Sequence, residues 1–516
     1  MIRNFRNLKR LGEIIRTVAH YDALFFLEWD HFSIKFLKFG IRLITIGVAP
    51  RSQVAELRNG EKLALALQDL GPGFIKLGQA LSVRPDLIGQ EIADDLTKLQ
   101  DRLPPFSAND AKKAVEDEFG KPIEEIFPNF QENPVAAASI AQVHFATTTE
   151  DIPVAVKILR PGIEAAFNRE LELLYWLAVN MERLAPKTRR LRPIEVINTL
   201  SQTVAIEMDL RLEAAAGDEL GLNFENDSSF NVPKMDWTRT GKRILTLERI
   251  SGTPIDEVSI LEEKGLDIEK LVTNMAQTFF LQVFRDGFFH ADLHPGNLLV
   301  SEDGVINSID FGIMGRLDKQ TRYYLAEMLV GFINADYTKV AKAHIKAGYL
   351  PANQSAESFA QAARAIAEPI MGLPLKEISL ARLLAQLFRI AERFEMATQP
   401  QLLLLQKTML VAEGVGRKLY PETNMWELAK PLIEDWVESN LTPETRATEM
   451  VSEAGILIER LPNLIATLGE SVVTIGRDGL RLHPDTAHTM SRRKSASRWG
   501  WWIGAAVVIG FLIVAN

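Results

Sequence analysis

The sequence predicts an α+β fold of two lobes, a small mixed lobe followed by a larger helical one, with a helical extension in front and an apolar anchor behind. Three observations carry this. Strand-like apolar runs cluster in Pro134–Phe145, Ile152–Leu159 and Arg243–Ile250. Helical patterning holds before Pro105 and from Gly252 to Pro484, broken only by short strands at Asn297–Ser301 and Val305–Ile309. The segment from Trp499 to Ala515 carries no charge.

The 516 residues allow about three domains at roughly 150 residues each. The patterning divides them into a helical extension (1–105), a mixed lobe with a helical insert (106–250), a helical lobe (251–440), a helical C-terminal extension (441–497) and an anchor (498–516). There is no cysteine, which excludes disulfides, thiol catalysis, zinc ribbons and iron–sulfur clusters. The net charge of −9 argues against a nucleic-acid partner.

At the N-terminus, Ile2, Phe5, Leu8, Leu11, Ile15 and Val18 share a helical face, with Arg3, Arg6, Lys9 and Arg10 on the remainder. Such a helix either packs on its own domain or lies on an anionic leaflet. At the other end, residues 499–515 reach roughly 25 Å as a helix, enough for a single span. Trp499, Trp501 and Trp502 stand where indoles favour the headgroup layer, behind Arg492, Arg493, Lys494 and Arg498. The positive-inside rule then puts the body of the protein on the cytoplasmic side of the inner membrane. Gly500 and Gly504 form a small-x-x-x-small pair that would let two anchors pack, as in a homodimer.

The chemistry is concentrated in His290-Ala291-Asp292-Leu293-His294-Pro295-Gly296-Asn297, followed by Asp310-Phe311-Gly312. The pattern fits phosphoryl transfer. Asp292 orients an attacking hydroxyl, while Asn297 and Asp310 hold Mg²⁺ against nucleotide phosphates. The hairpin Leu298–Ile309, turning at Glu302-Asp303-Gly304, brings the two metal ligands to one end. Upstream, Val154-Ala155-Val156-Lys157 ends an apolar strand in a cation suited to the phosphates of ATP. A glycine-rich loop is expected about twenty residues earlier, and alanines stand there instead. Val135, Ala136, Ala137, Ala138, Ser139, Ile140, Ala141, Gln142 and Val143 should form a stiffer nucleotide loop, since alanine cannot cheaply take positive φ.

With Lys76-Leu77-Gly78-Gln79 and Glu207-Met208-Asp209 added, the sequence resembles the UbiB family of atypical kinase-like proteins associated with ubiquinone biosynthesis. The resemblance implies an atypical protein-kinase-like fold with the K-x-G-Q segment folded across the active site. Lys76 would reach toward Glu207 and Asp209, with Gln79 nearby, as a regulatory set. Read without the resemblance, Lys76 is a solvated helix lysine. The resemblance also implies that Glu213 pairs with Lys157, although Glu170 and Glu172 are closer in sequence. If the segment is one helix, Asp209 and Glu213 share a face. The strand at Arg243–Ile250 would lead into the hinge, with the backbone at Glu248 and Ile250 meeting adenine.

Ala291 replaces the arginine of H-R-D, and Ile313-Met314-Gly315-Arg316 runs straight into a helix with no A-P-E anchor, so a peptide-binding platform is missing. The expectation is a membrane-anchored Mg²⁺-dependent ATPase or small-molecule kinase supporting ubiquinone synthesis. Its partners would be membrane lipids, prenylated quinone precursors and the biosynthetic enzymes. A nucleotide-switched scaffold or lipid-extraction module is the alternative, and a protein kinase a third.

Overall fold

The computed structural model describes residues 2–440 apart from 26–40, 42–43, 50, 52–53, 83–87, 98, 100–103, 185–191, 352, 372, 374–376, 378–385, 388, 392 and 397–398. The C-terminal extension and anchor expected after 440 lie outside the described residues. Among those described, no helix is long and apolar enough to cross a membrane. The described residues up to Val437 form one compact unit.

The chain begins with helices α1 (Ile2–His20), α2 (Asn59–Leu70), α3 (Pro72–Ser82) and α4 (Gln90–Thr97). Helix α5 (Ala108–Phe119) starts at Ser107, whose hydroxyl accepts from the Asp110 amide, and stops at Gly120 in the left-handed region, φ 67°. A single turn, α6 (Ile123–Ile126), leads into strands β1 (Asn129–Phe130), β2 (Ala136–Ala137), β3 (Ala141–Thr147) and β4 (Pro153–Leu159). Helices α7 (Ile163–Leu184), α8 (Pro193–Glu207) and α9 (Leu210–Asn223) intervene before β5 (Phe230–Asn231) and β6 (Ile244–Glu248). The small lobe is an antiparallel sheet of order β1-β3-β4-β6, with β2 paired to β3.

Strand alternation sorts the core. Val154, Val156 and Ile158 of β4 pack with α5 and α6 on one face. Ala155 and Leu159 face the other way, into a core built from α2, α3, α7, α8 and the start of α9. Lys157 lies between those two and shares their face. The N-terminal extension therefore packs on the same side of the sheet as the candidate phosphate-binding lysine.

The larger lobe contains β7 (Thr253–Pro254), α10 (Val258–Glu263), α11 (Ile268–Phe280), β8 (Phe288–His290), β9 (Leu298–Val300), β10 (Ile306–Ser308) and β11 (Met314–Arg316). Helices α12 (Lys319–Ile333), α13 (Tyr337–Lys346), α14 (Ala356–Ala367), α15 (Pro400–Leu419) and α16 (Met425–Asn440) follow. The expected hairpin is β9–β10, in register Ile306↔Val300, turning on Gly304 at φ 82°. Two expectations change. Met314–Arg316 is strand β11, paired antiparallel to β8, and the next helix waits for the Asp318 cap. Residues 207–213 are not one helix either. Helix α8 ends at Glu207, and Asp209, extended at φ −126°, caps α9 by accepting from the Arg211 amide. A short acidic side chain competes for backbone amides and starts a new helix there. Helix α9 bridges the lobes: Leu210 and Ala214 belong to the first core, Leu220 and Phe224 to the second.

Candidate active site

Lys157 arrives on β4 with its side chain toward α9. Its Nζ lies 2.6 Å from Glu213 Oε1 and 3.3 Å from Asp310 Oδ2. The side chains of Lys157 and Glu213 are 16% and 9% exposed, and that of Asp310 is 43% exposed. Two buried opposite charges thus end at a third group open to the cleft. Burial opposes charge on Lys157, but Asp310 and Glu213 more than offset it and hold the ammonium above the ordinary lysine range. Burial likewise opposes charge on Asp310, yet Lys157 and the Gly312 amide, 3.0 Å from Oδ1, bring it down to about 2. Asp310 is a permanent anion at neutral pH. Glu170, the nearer glutamate in sequence, lies elsewhere.

The catalytic-loop candidates lie with Asp310 on the larger lobe, across from Lys157. Asn297 Nδ2 donates to the Asp292 carbonyl at 3.0 Å and approaches its Oδ2 at 3.4 Å. The Ile309 amide donates to Asn297 O at 3.1 Å, so the hairpin seats Asn297 beside the residue that precedes Asp310. His290 is fully buried. Its Nδ1 accepts from the Asp292 amide at 3.1 Å, leaving Nε2–H to donate to the Asp310 carbonyl. Burial depresses this imidazole and keeps it neutral, as that pattern requires. His290 thus links the backbones of the two aspartates.

The donor set suits magnesium. Among the described residues no cluster of three or more His, Asp or Glu side chains gathers. A magnesium ion needs one or two protein oxygens, with phosphates and water completing its shell. An ionised Asp310 and the Asn297 amide oxygen, whose own NH₂ is turned onto Asp292, are such oxygens.

The alanine segment is a tight hairpin. Ala136 and Ala137 pair with Val143 and Gln142, Ala138 N donates to Ala141 O at 2.8 Å, and no residue from 135 to 143 has positive φ. Arg160 closes the turn: its amide donates to Ile140 O at 2.7 Å and its guanidinium to Ala138 O at 3.3 Å. Within this segment the side chain of Gln142 turns away from the nucleotide role expected for it. It is buried, with Oε1 accepting from the Phe106 amide at 3.0 Å and Nε2 against His144 at 2.8 Å. Polar atoms in a dry interior need such partners. At the hinge, the Glu248 amide donates to Lys234 O at 2.9 Å and the Arg249 amide to Pro153 O at 3.2 Å. An adenine edge would therefore have to use the Glu248 carbonyl or the backbone of Ile250.

On the extension, Lys76 is buried, not solvated. Its Nζ stands 2.8 Å from Glu207 Oε2, with the two side chains 10% and 8% exposed. Gln79, three residues on, is half-buried. Asp209 makes a bidentate pair with Arg211, at 2.8 and 2.6 Å, while it caps α9. Glu170 explains the Gly71-Pro72-Gly73 turn: any side chain at Gly73 would collide with its carboxylate. Burial raises Glu170, while Arg10 and the Gly73 amide pull it back.

Comparison with known proteins fits this arrangement. Residues 98–344 match the ABC1 atypical kinase-like domain and residues 363–424 the UbiB helical domain. A protein named Probable protein kinase UbiB from Marinobacter nauticus is 41% identical over 470 residues, covering 89% of this chain and 86% of that one. Its namesake in Pseudomonas entomophila is 38% identical, covering 98% and 93%. The chain belongs to the UbiB family. A solved Mycobacterium tuberculosis protein, in complex with erythromycin, matches with TM-score 0.52 and 25% identity over 71% of this chain and 93% of its own.

For this UbiB-family chain, sequence reasoning assigned no role to His290, Gln282 or Gly217. Gln282 Oε1 accepts from the His290 amide at 2.8 Å, within a π-helical turn spanning 281–286 that no periodicity signals. Gly217 lies one turn beyond Glu213, and a Cβ there would stand 2.8 Å from the Phe311 ring of the Asp-Phe-Gly segment. A glycine inside a helix, aligned with a candidate ion-pair residue, is the signal that was available.

Proposed function

We propose that this chain binds Mg²⁺-ATP between its lobes and hydrolyses it, or transfers the γ-phosphoryl to a small acceptor, in support of ubiquinone synthesis at the inner membrane. The observation that carries the reading is the convergence of Lys157, Glu213 and Asp310 from three distant segments, with His290 linking the Asp310 backbone to that of the Asp292–Asn297 pair. Lys157 and the alanine hairpin hold the phosphates. A bound magnesium ion supplies charge neutralisation at the transferring phosphoryl group, and Asp310 and Asn297 hold it. Asp292 orients a water or a lipid hydroxyl, and the neutral His290 and Asn297 fix its backbone. Residues 499–515 anchor the chain, and prenylated quinone precursors and their enzymes are its partners, a role that rests on the family resemblance.

The connection from Gly312 through β11 to the Asp318 cap leaves no room for a peptide-binding activation loop, which weighs against a protein substrate. The same feature favours a second reading, a non-catalytic scaffold or lipid-extraction module switched by nucleotide. Asp310→Asn should weaken Mg²⁺-nucleotide binding by about 100-fold or more. Unchanged affinity would overturn the metal assignment. ATP turnover by detergent-solubilised protein, with and without prenyl-phenol lipids and anionic bilayers, separates the two readings. The scaffold reading prevails if Asp292→Asn supports quinone synthesis in cells fully while Lys157→Ala does not.

A further inference from the structure

The backbone around Asp292 is tied at five points. The His290 amide donates to Gln282 Oε1 at 2.8 Å, the Ala291 amide to Ile313 O at 3.0 Å, and the Asp292 amide to His290 Nδ1 at 3.1 Å. The Asp292 carbonyl accepts from Asn297 Nδ2 at 3.0 Å. The Ala291 carbonyl accepts from Thr408 Oγ1 at 3.1 Å. Thr408 belongs to α15, within the residues matching the UbiB helical domain and outside those matching the kinase-like domain. Its side chain is wholly buried. The same hydroxyl lies 2.8 Å from Leu404 O, one turn back on its own helix. A single proton is shared between a bond every helical threonine can make and a bond to the catalytic loop.

We infer that Thr408 is a positioning residue for Asp292, so that the helical domain completes the phosphoryl-transfer site by fixing the carbonyl that precedes the acceptor-orienting carboxylate. Packing alone would be served as well by valine, which has the same shape without the hydroxyl. A buried carbonyl left without its donor shifts to find another, and small displacements of a reacting group lower rates steeply.

The inference rests on the Mg²⁺-ATP reading above, and the test keeps the two apart. In the full-length detergent-solubilised protein, Thr408→Val should lower ATP turnover about tenfold or more while leaving nucleotide affinity within about twofold, and Thr408→Ser should restore it. In an Asp292→Asn background, Thr408→Val should bring no further loss, because its effect passes through that carboxylate. Amide exchange across residues 288–293 should accelerate in Thr408→Val and not in Thr408→Ser, a readout that needs no turnover. The inference is overturned if Thr408→Val keeps wild-type turnover and exchange, if Thr408→Ser is as impaired as Thr408→Val, or if the double variant loses activity additively. If Asp292→Asn itself keeps full turnover, the catalytic reading fails instead, and the exchange result alone decides whether Thr408 holds the loop.

Discussion

Lys76–Glu207 and Lys157–Glu213 are both buried ion pairs on the same side of the small-lobe sheet, with lysines 10% and 16% exposed and glutamates 8% and 9% exposed. They differ in what lies next to them. The first joins α3 to the end of α8 and fastens the extension to the lobe. The second touches Asp310, a carboxylate 43% exposed on the opposite lobe. Burying a pair costs desolvation that its attraction only partly repays, so neither is explained by stability alone. A pair closed on itself works as a latch. A pair that also holds a third, open carboxylate is what the proposed exchange of that carboxylate for a phosphate requires.

The largest expected effect tests this contrast directly. Removing one lysine leaves its glutamate buried and uncompensated, so Lys76→Met and Lys157→Met should each cost about 3–5 kcal/mol in urea unfolding. The double replacements should diverge. Lys76→Met with Glu207→Leu should recover most of the loss, since no charge remains. Lys157→Met with Glu213→Leu should recover much less, because Asp310 still lacks the cation that brings it down to about 2. Equal recovery in both doubles would mean that the two pairs are the same kind of object.

The contrast also shows what the sequence made legible. Lys157 could be placed because its Val-Ala-Val-Lys run stands upstream of the His-Ala-Asp and Asp-Phe-Gly motifs, while the face it shares with Ala155 and Leu159 emerges only in the folded sheet. Its partner could not be placed by spacing, since helices α7 and α8 intervene and carry Glu170 to the turn before α3 while Glu213 reaches the cleft. Lys76 read alone as a solvated helix lysine, because one helix turn beside a Gly-Pro-Gly segment contains no signal of the lobe it packs on. The missed strands β1, β5, β7, β8 and β11 are two or three residues long, too short for alternation to register. In β11, Gly315 is required because a side chain there would enter the Phe289 ring. The break at Asp209 was hidden in a stretch of good helix formers, where one capping carboxylate outweighs summed propensity.

A middle-sized effect should separate the pairs again through α9. A Cβ at Gly217 would collide with Met235 Cε and stand 2.8 Å from the Phe311 ring, so Gly217→Ala should displace both side chains and, through the ring, Asp310. Overpacking of this kind costs about 1–3 kcal/mol. Nucleotide affinity should fall along with stability, while the coupling energy between Lys76 and Glu207 in a double-mutant cycle stays as it is in the parent. A loss of stability with nucleotide affinity intact would show that Phe311 adjusts without moving the carboxylate beside it.

The smallest effect is a slope. His144, His290 and His344 are all held below the ordinary 6.5 chiefly by burial, so each is neutral in the fold. As pH falls through about 6.5 the unfolded chain takes up these protons first, and stability declines until each lowered folded value is passed. Above that window the stability is fully present. Each histidine adds a slope approaching about 1.4 kcal/mol per pH unit. His290→Gln should remove one histidine's share of that slope whatever it does to absolute stability, and so should His344→Gln. Only the first should also weaken Mg²⁺-nucleotide binding, because only His290 donates to the Asp310 carbonyl and accepts from the Asp292 amide. If both variants flatten the slope and neither touches nucleotide affinity, the imidazole between the two aspartates is a packing group, and the open pair at Lys157 is positioned without it.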